Sequence, residues 1–284
     1  MTLSAPLSST DHELTSFAGL RLGVFDSGLG GLSMLGALQA QVPGAAIDYV
    51  ADSGFAPYGE RSDDFIMHRC RVVTEALLAR GADLVVVACN TATAVAIREL
   101  RHTWPGTPFI GVEPGIKPAI TLSATGRIGV LATPMTLGSQ KFRDLVDAHA
   151  QDAQLMLQPC PGLAAEIEKG ALDTPALRAL VEHFCAPLRQ SDVDTVVLGC
   201  THYPLIRPLF EQAMPPEVQI LDTAAAVARH ARRLAQVMHG HLQQKSQDTL
   251  MAEPLRLWST GAPMHLQEVA RCWLGDTTLM ARRL

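Results

Sequence analysis

Several function classes need features that this chain lacks. Its six cysteines include no C-x-x-C pair, and Cys200 with His202 is the one close ligand pair, so the spacing of a structural zinc site is missing. There are four lysines, Lys117, Lys141, Lys169 and Lys245, and none follows a buried strand as a pyridoxal phosphate Schiff-base lysine would. Positive charge is scarce: 23 Lys and Arg stand against 28 Asp and Glu, a net −5, with no basic stripe for nucleic acid. No apolar run approaches the length of a membrane span. The N-terminus has neither a charged start nor an apolar core segment, which predicts a cytoplasmic protein with free thiols rather than disulfides. Short-period repeats and long low-complexity tracts are also missing.

What remains is an ordinary globular composition. The chain has 284 residues and is 48% hydrophobic, long enough for one or two domains. Two stretches organise it. The first is Leu84-Val-Val-Val-Ala-Cys89-Asn90-Thr91-Ala92-Thr93, and the second is Thr195-Val-Val-Leu-Gly-Cys200-Thr201-His202-Tyr203-Pro204. Each is a short β-branched apolar run, read as a buried strand, then a small residue, a Cys and polar residues able to open a helix. Asn90 or Thr91 is the expected cap for a helix through Leu100. Each Cys then sits where a parallel strand ends, the place where open α/β sheets bind ligands. A thiol beside a helix N-terminus is expected to have a lowered pKa.

A strand and a polar loop precede each Cys. Arg21 to Phe25 leads into Asp26-Ser27-Gly28-Leu29-Gly30-Gly31, and Arg127 to Ala132 leads into Thr133-Pro134. The pattern predicts an α/β fold of two related halves with largely parallel sheets, facing each other so that two thiols flank one cleft. Residues 1–19 read as a mobile leader, 20–115 with 223–284 as a discontinuous first domain, and 116–222 as the second. Further helices are expected over Leu32–Ala40, Phe65–Arg80, Ile116–Ala124, Leu137–Ala150, Leu163–Lys169, Thr174–Arg189, Ala224–Gln243 and Met264–Leu274, with a late strand at Leu255–Trp258.

Cys70, Cys185 and Cys272 fall in helical patterns and read as small core hydrophobes. The matched contexts of Cys89 and Cys200 point to chemistry instead. One Cys with His202 would make an activated nucleophile. Two equivalent thiols suit a different task, taking a proton from one face of a carbon and returning one to the other, and a thiol pKa near ~8.5 serves either role. The glycine loop also resembles half of a dinucleotide fingerprint, with Asp48 downstream. Against a nucleotide, Ser33 takes the third glycine position, and Asp26 would repel a pyrophosphate. The loop suits a small zwitterion better.

Taken together, six segments resemble the glutamate racemases, a branch of the cofactor-independent aspartate/glutamate racemase superfamily. They are Val24–Ser33, Ala51-Asp-Ser with Pro57-Tyr58-Gly59, Ala88–Thr93, Gly111–Gly115, Gly129–Pro134 and Gly199–Pro204. The resemblance implies two pseudo-twofold α/β domains with the substrate, glutamate, between them, and conversion of L- to D-glutamate for the cell wall without metal or pyridoxal phosphate. It implies that Cys89 and Cys200 are the acid/bases for the two faces, the first deprotonating D-glutamate and the second L-glutamate. Asp26 would assist Cys89, and His202 would assist Cys200. Substrate binding would come from Asp26, Ser27, Tyr58, Gly59, Asn90, Thr91, Thr133, Thr201 and His202, partly through a nest of backbone amides. After Cys160-Pro161 the chain departs from the family pattern, with Gly162-Leu163-Ala164-Ala165 preceding Glu166 and Glu168. Glu168 falls in register with a family glutamate near the active-site His, and a solvated helix carboxylate is the alternative. The leader and Glu113-Pro114 resemble members activated by a cell-wall precursor. That activation and a homodimer are left open by the residues.

Overall fold

The computed structural model describes residues 16–150, 152–242 and 253–284. The first half runs β1 (Arg21–Asp26), α1 (Leu32–Gln41), β2 (Ala46–Ala51), α2 (Asp63–Ala79), β3 (Leu84–Val87), α3 (Asn90–Thr103) and β4 (Phe109–Gly111). After α4 (Ile116–Leu122) the second half follows: β5 (Arg127–Ala132), α5 (Pro134–Gly138), α6 (Gln140–His149), β6 (Gln154–Pro159), α7 (Leu163–Ile167), α8 (Pro175–Gln190), β7 (Thr195–Leu198), α9 (Arg207–Ala213) and β8 (Gln219–Leu221). The C-terminal segment holds α10 (Ala224–Leu242), β9 (Leu255–Ser259), α11 (Pro263–Leu274) and β10 (Ala281–Arg283).

The strands form two sheets, ordered β10-β9-β2-β1-β3-β4 and β6-β5-β7-β8, and every pairing is parallel. Without β9 and β10, the first sheet has the order of the second, strand for strand. Parallel strands need helical crossovers, which cover both faces of a sheet and demand continuous apolar runs. β3 and β7 meet that demand, for each is buried along its whole length. A Val or Leu buried there contributes about 1.5–3 kcal/mol, so one charged substitution in either strand would unseat it.

The late strand at Leu255 joins the first sheet beside β2, with Tyr49 opposite Leu257. α10 packs on α1, and Arg232 caps it there, donating to the Gln41 carbonyl at 3.0 Å. β10 was not expected: a half-buried alanine and two exposed arginines carry no strand pattern, and only pairing with β9 makes them one. The helix expected over Leu137–Ala150 is two helices, because Ser139 turns extended and caps α6 by accepting from the Phe142 amide. Residues 1–15 of the predicted leader lie outside the described residues. Within its last residues, Phe17 is fully buried in the core, and its amide donates to the Pro43 carbonyl at 2.8 Å. Cys70 and Cys185 are buried as expected, whereas Cys272 is exposed on α11.

Candidate active site

The two loops after β1 and β3 face the loops after β5 and β7. Cys89 is itself the cap of α3, which corrects the expected Asn90 or Thr91. Its backbone is extended, and Sγ accepts from the Ala92 amide at 3.4 Å. Asn90 is the first helical residue and donates from its side chain to the Val112 carbonyl at 3.4 Å, across to the end of β4. Cys200 differs: after β7 come a turn and a short 3₁₀ segment at Tyr203–Ile206, so no α-helix starts at this thiol. The thiols are nearly sealed, at 5% and 7% exposure.

Asp26 ends β1 and is completely buried. It accepts from the Gly28 amide at 2.7 Å and from the Thr201 hydroxyl of the opposite half at 2.7 Å. Burial raises its pKa to about 6, against the pull of His202, Thr201 and Gly28. Ser27 stands between Asp26 and Cys89, 3.4 Å from the carboxylate and 3.7 Å from Sγ. Burial and then the charge of Asp26 push the Cys89 thiol up to about 12, overriding the Ala92 amide and the Ser27 hydroxyl. The lowered pKa expected from the helix terminus is thus overturned: one amide dipole cannot offset desolvation beside a carboxylate.

Cys200 has the opposite surroundings. Its Sγ lies 3.9 Å from His202 Nδ1, and Nε2 of the same ring lies 2.8 Å from Glu168 Oε2. Burial works against charge on His202, but contacts with Cys200 and Glu168 and the nearby Asp26 outweigh it and raise its pKa well above 6.5. Glu168 is no solvated helix carboxylate. It accepts from the Leu29 amide at 2.8 Å and the Ser53 hydroxyl at 2.7 Å, both in the first half. These donors and His202 overcome burial and lower its pKa. One thiol therefore has a carboxylate for a neighbour, and the other an imidazolium.

The glycines of the loop make this approach fit. A Cβ on Gly28 would lie 2.2 Å from Glu168 Oε2, and one on Gly30 would lie 2.5 Å from His202 Nδ1. Ser33, in the third glycine position, donates to the Thr201 carbonyl at 3.0 Å. The loop receives the other half of the protein where a pyrophosphate would have to lie.

Thr91 Oγ1 is 3.1 Å from Thr133 Oγ1, and Thr133 caps α5 through the Thr136 amide at 3.1 Å. Gly59 lies against Thr133, where an added Cβ would be 3.2 Å from its methyl. The Tyr58 hydroxyl does not point to this cluster; it donates to Asp52 at 2.5 Å, leaving the backbone of Tyr58–Gly59 beside Thr133. Sequence reasoning missed Ser53, Asp52, Arg69 and Tyr49 as parts of the site. Asp52 and Ser53 sit in the quoted Ala51-Asp-Ser strand end, which was the available signal. Arg69 clamps Asp52 with two bonds of 2.9 and 2.8 Å. Tyr49 donates to the Gly28 carbonyl at 2.5 Å, and neither it nor Arg69 had a local signal. Among the described residues, no group of three His, Cys, Asp or Glu is arranged to hold a metal ion, and no helix is long and apolar enough to cross a membrane.

The family model for Asp/Glu/Hydantoin racemase matches residues 28–231. A glutamate racemase from Ectopseudomonas mendocina (strain ymp) is 46% identical over 255 residues, covering 90% of this chain and 95% of that protein. One from Pseudomonas aeruginosa PAO1 is 48% identical over 213 residues, 75% of this chain and 80% of that protein. The crystal structure of Escherichia coli glutamate racemase in complex with L-glutamate and the activator UDP-MurNAc-ala superposes with a TM-score of 0.80 at 30% identity, covering 93% of this chain and 98% of that one.

Proposed function

The chain belongs to the Asp/Glu/Hydantoin racemase family, and from that membership we propose that it racemises glutamate by passing protons through Cys89 and Cys200 on opposite faces of the α-carbon. The unlike surroundings of the two thiols carry the mechanistic part of this reading. For turnover of L-glutamate, Cys89, whose thiol is pushed up by burial and by Asp26, would be the proton donor, and Cys200, 3.9 Å from the His202 ring, the proton acceptor.

Starting from L-glutamate, the Cys200 thiolate takes the α-proton, and the electron pair left on carbon spreads into the α-carboxylate. The Cys89 S–H bond then breaks, and its proton goes to the opposite face. The products are D-glutamate, a Cys200 thiol and a Cys89 thiolate. Solvent exchange or a turnover in reverse resets the pair. The imidazolium of His202 and the hydroxyls around the site supply the fixed dipoles that such charge development needs. Asp26, Ser27, Asn90, Thr91, Thr133, Thr201 and His202, with the Tyr58–Gly59 backbone, are the residues that would hold the substrate. Because both thiols are nearly sealed, glutamate reaches them only when the halves part, breaking the Thr201–Asp26, Leu29–Glu168 and Ser53–Glu168 bonds.

The same reading divides the chain at 115/116 and 222/223, so that the two sheets move as separate bodies. It places the product in cytoplasmic peptidoglycan synthesis and extends to this chain the activator bound by the Escherichia coli protein.

The test uses metal-free protein and L-glutamate in heavy water, followed by circular dichroism and mass spectrometry. D-glutamate formed early should carry deuterium at the α-carbon, while recovered L-glutamate carries little. Cys89→Ser and Cys200→Ser should each nearly abolish turnover, since a serine hydroxyl is far too weak an acid. Full activity in either variant would refute the paired-thiol mechanism. Turnover of aspartate alone would remove the substrate assignment. Adding UDP-MurNAc-ala to the same assay should raise the rate.

A further inference from the structure

We propose that His265, on α11 in the C-terminal segment, is a positioning residue that sets the Glu168–His202 pair and, through it, Cys200. The proposal rests on the reading of Cys200 and His202 given above and adds to it a residue that touches neither thiol.

Glu168 follows the last turn of α7, so its carbonyl is one of those that a helix end leaves without a helical donor. His265 Nε2–H donates to that carbonyl at 2.7 Å. The imidazole reaches it because residue 170 is glycine. With φ at +86°, a Cβ on Gly170 would lie 2.5 Å from His265 Cε1 and 3.0 Å from Val269 Cγ2. α11 thus lies directly on the turn that carries Glu168.

The other side of the Glu168 carboxylate is backed by the same segment. Ser53 donates to Oε1, and the Gly54 amide next to it donates to Thr260 Oγ1 at 3.1 Å. Thr260 in turn donates to Asp52 at 2.8 Å. The corner between β9 and α11 therefore grips the donor Ser53 at Thr260 and the backbone of the acceptor Glu168 at His265. Groups that act through outer partners lose rate steeply when displaced, and a shift of about 1 Å can cost ~100-fold. Releasing His265 frees the α7 turn to carry the carboxylate away from His202 Nε2.

The titratable groups that act most strongly on the His202 ring are Cys200, Glu168 and Asp26. Of these, His265 touches Glu168 alone. Loss of the link should weaken what holds the proton on His202, so His202 should lose it at lower pH. A residue that only fills space would leave that titration where it was.

The experiment compares wild type, His265→Ala and His265→Gln, the last keeping an amide N–H near the position of Nε2. Histidine labelled with ¹⁵N, with the His202 signal assigned by its loss in His202→Asn, reports the His202 titration in the free enzyme. In His265→Ala, His202 should deprotonate at lower pH, and kcat should fall by about 10- to 100-fold with a smaller change in KM. In His265→Gln, both should return towards wild type. A His202 titration at the wild-type position in His265→Ala overturns the proposal whatever the rate does, and so does a His265→Gln protein as impaired as His265→Ala. Absence of racemase activity in the wild type retires the earlier reading, and the nitrogen titration still decides this one.

Discussion

Replacing Gly28 with alanine tests the closed site at its tightest point. The added Cβ would stand 2.2 to 2.4 Å from all three atoms of the Glu168 carboxylate group, where ordinary contact begins at 3.4 Å. The carboxylate must therefore retreat by about 1 Å, a displacement of the kind that costs ~100-fold in rate, or about 2.7 kcal/mol of barrier. Retreat also pulls it from the Leu29 amide, the Ser53 hydroxyl and His202 Nε2 together. The assay is circular dichroism of glutamate racemisation in both directions, with thermal unfolding as the check on folding. Glu168→Ala should itself be slow, and the double variant decides the cause. With Glu168 truncated the clash is gone, so Gly28→Ala should add almost nothing to Glu168→Ala, a strong non-additivity between contacting residues. If Gly28→Ala costs the same factor in both backgrounds, the glycine is required for another reason and the argument fails. A Gly28→Ala protein as fast as wild type would show that Glu168 need not stand where the structure puts it.

Two more predictions follow from buried charge. Asp26 has its pKa raised from 3.8 to about 6, chiefly by burial, so between those values the folded state keeps a proton that the unfolded chain has released. This group therefore removes stability as pH rises across that window, and the cost persists above it. Asp26→Asn should flatten the stability curve between pH 4 and 6 relative to wild type while slowing racemisation, and an unchanged slope in chemical denaturation would refute the assignment. Arg69→Met strands the buried Asp52 carboxylate, which accepts two bonds from that guanidinium. It should cost about 3–5 kcal/mol by urea titration, and a loss below about 1 kcal/mol would show the pair to be dispensable.

The local pattern of the chain was enough to place both thiols at strand ends. A β-branched run such as Leu84–Val87 has one economical fate in a protein this size, a buried parallel strand, and a polar cluster after it must turn the chain. The matching order of strands, loops and cysteines likewise made the two related halves readable, and the sheets have that order. Even the C-terminal strand's place in the first sheet followed from its lack of a counterpart in the second half. Local pattern says nothing, however, about which charges meet. Cys89 looked like a thiol lowered by a helix terminus, and burial beside Asp26 raised it instead. Local pattern did not separate Glu168 from Glu166; only the family register singled Glu168 out, and packing set it against a backbone amide 139 positions away. β10 became a strand only by pairing with β9, and the Tyr58 hydroxyl is turned to Asp52, the carboxylate that Arg69 of α2 also grips. Strands such as β3 and β7 and the turns that follow them depend on neighbours within a few residues, so the sequence determines them. Desolvation and Coulomb interaction depend on what lies within a few ångströms, and that was decided only when the two sheets were brought face to face.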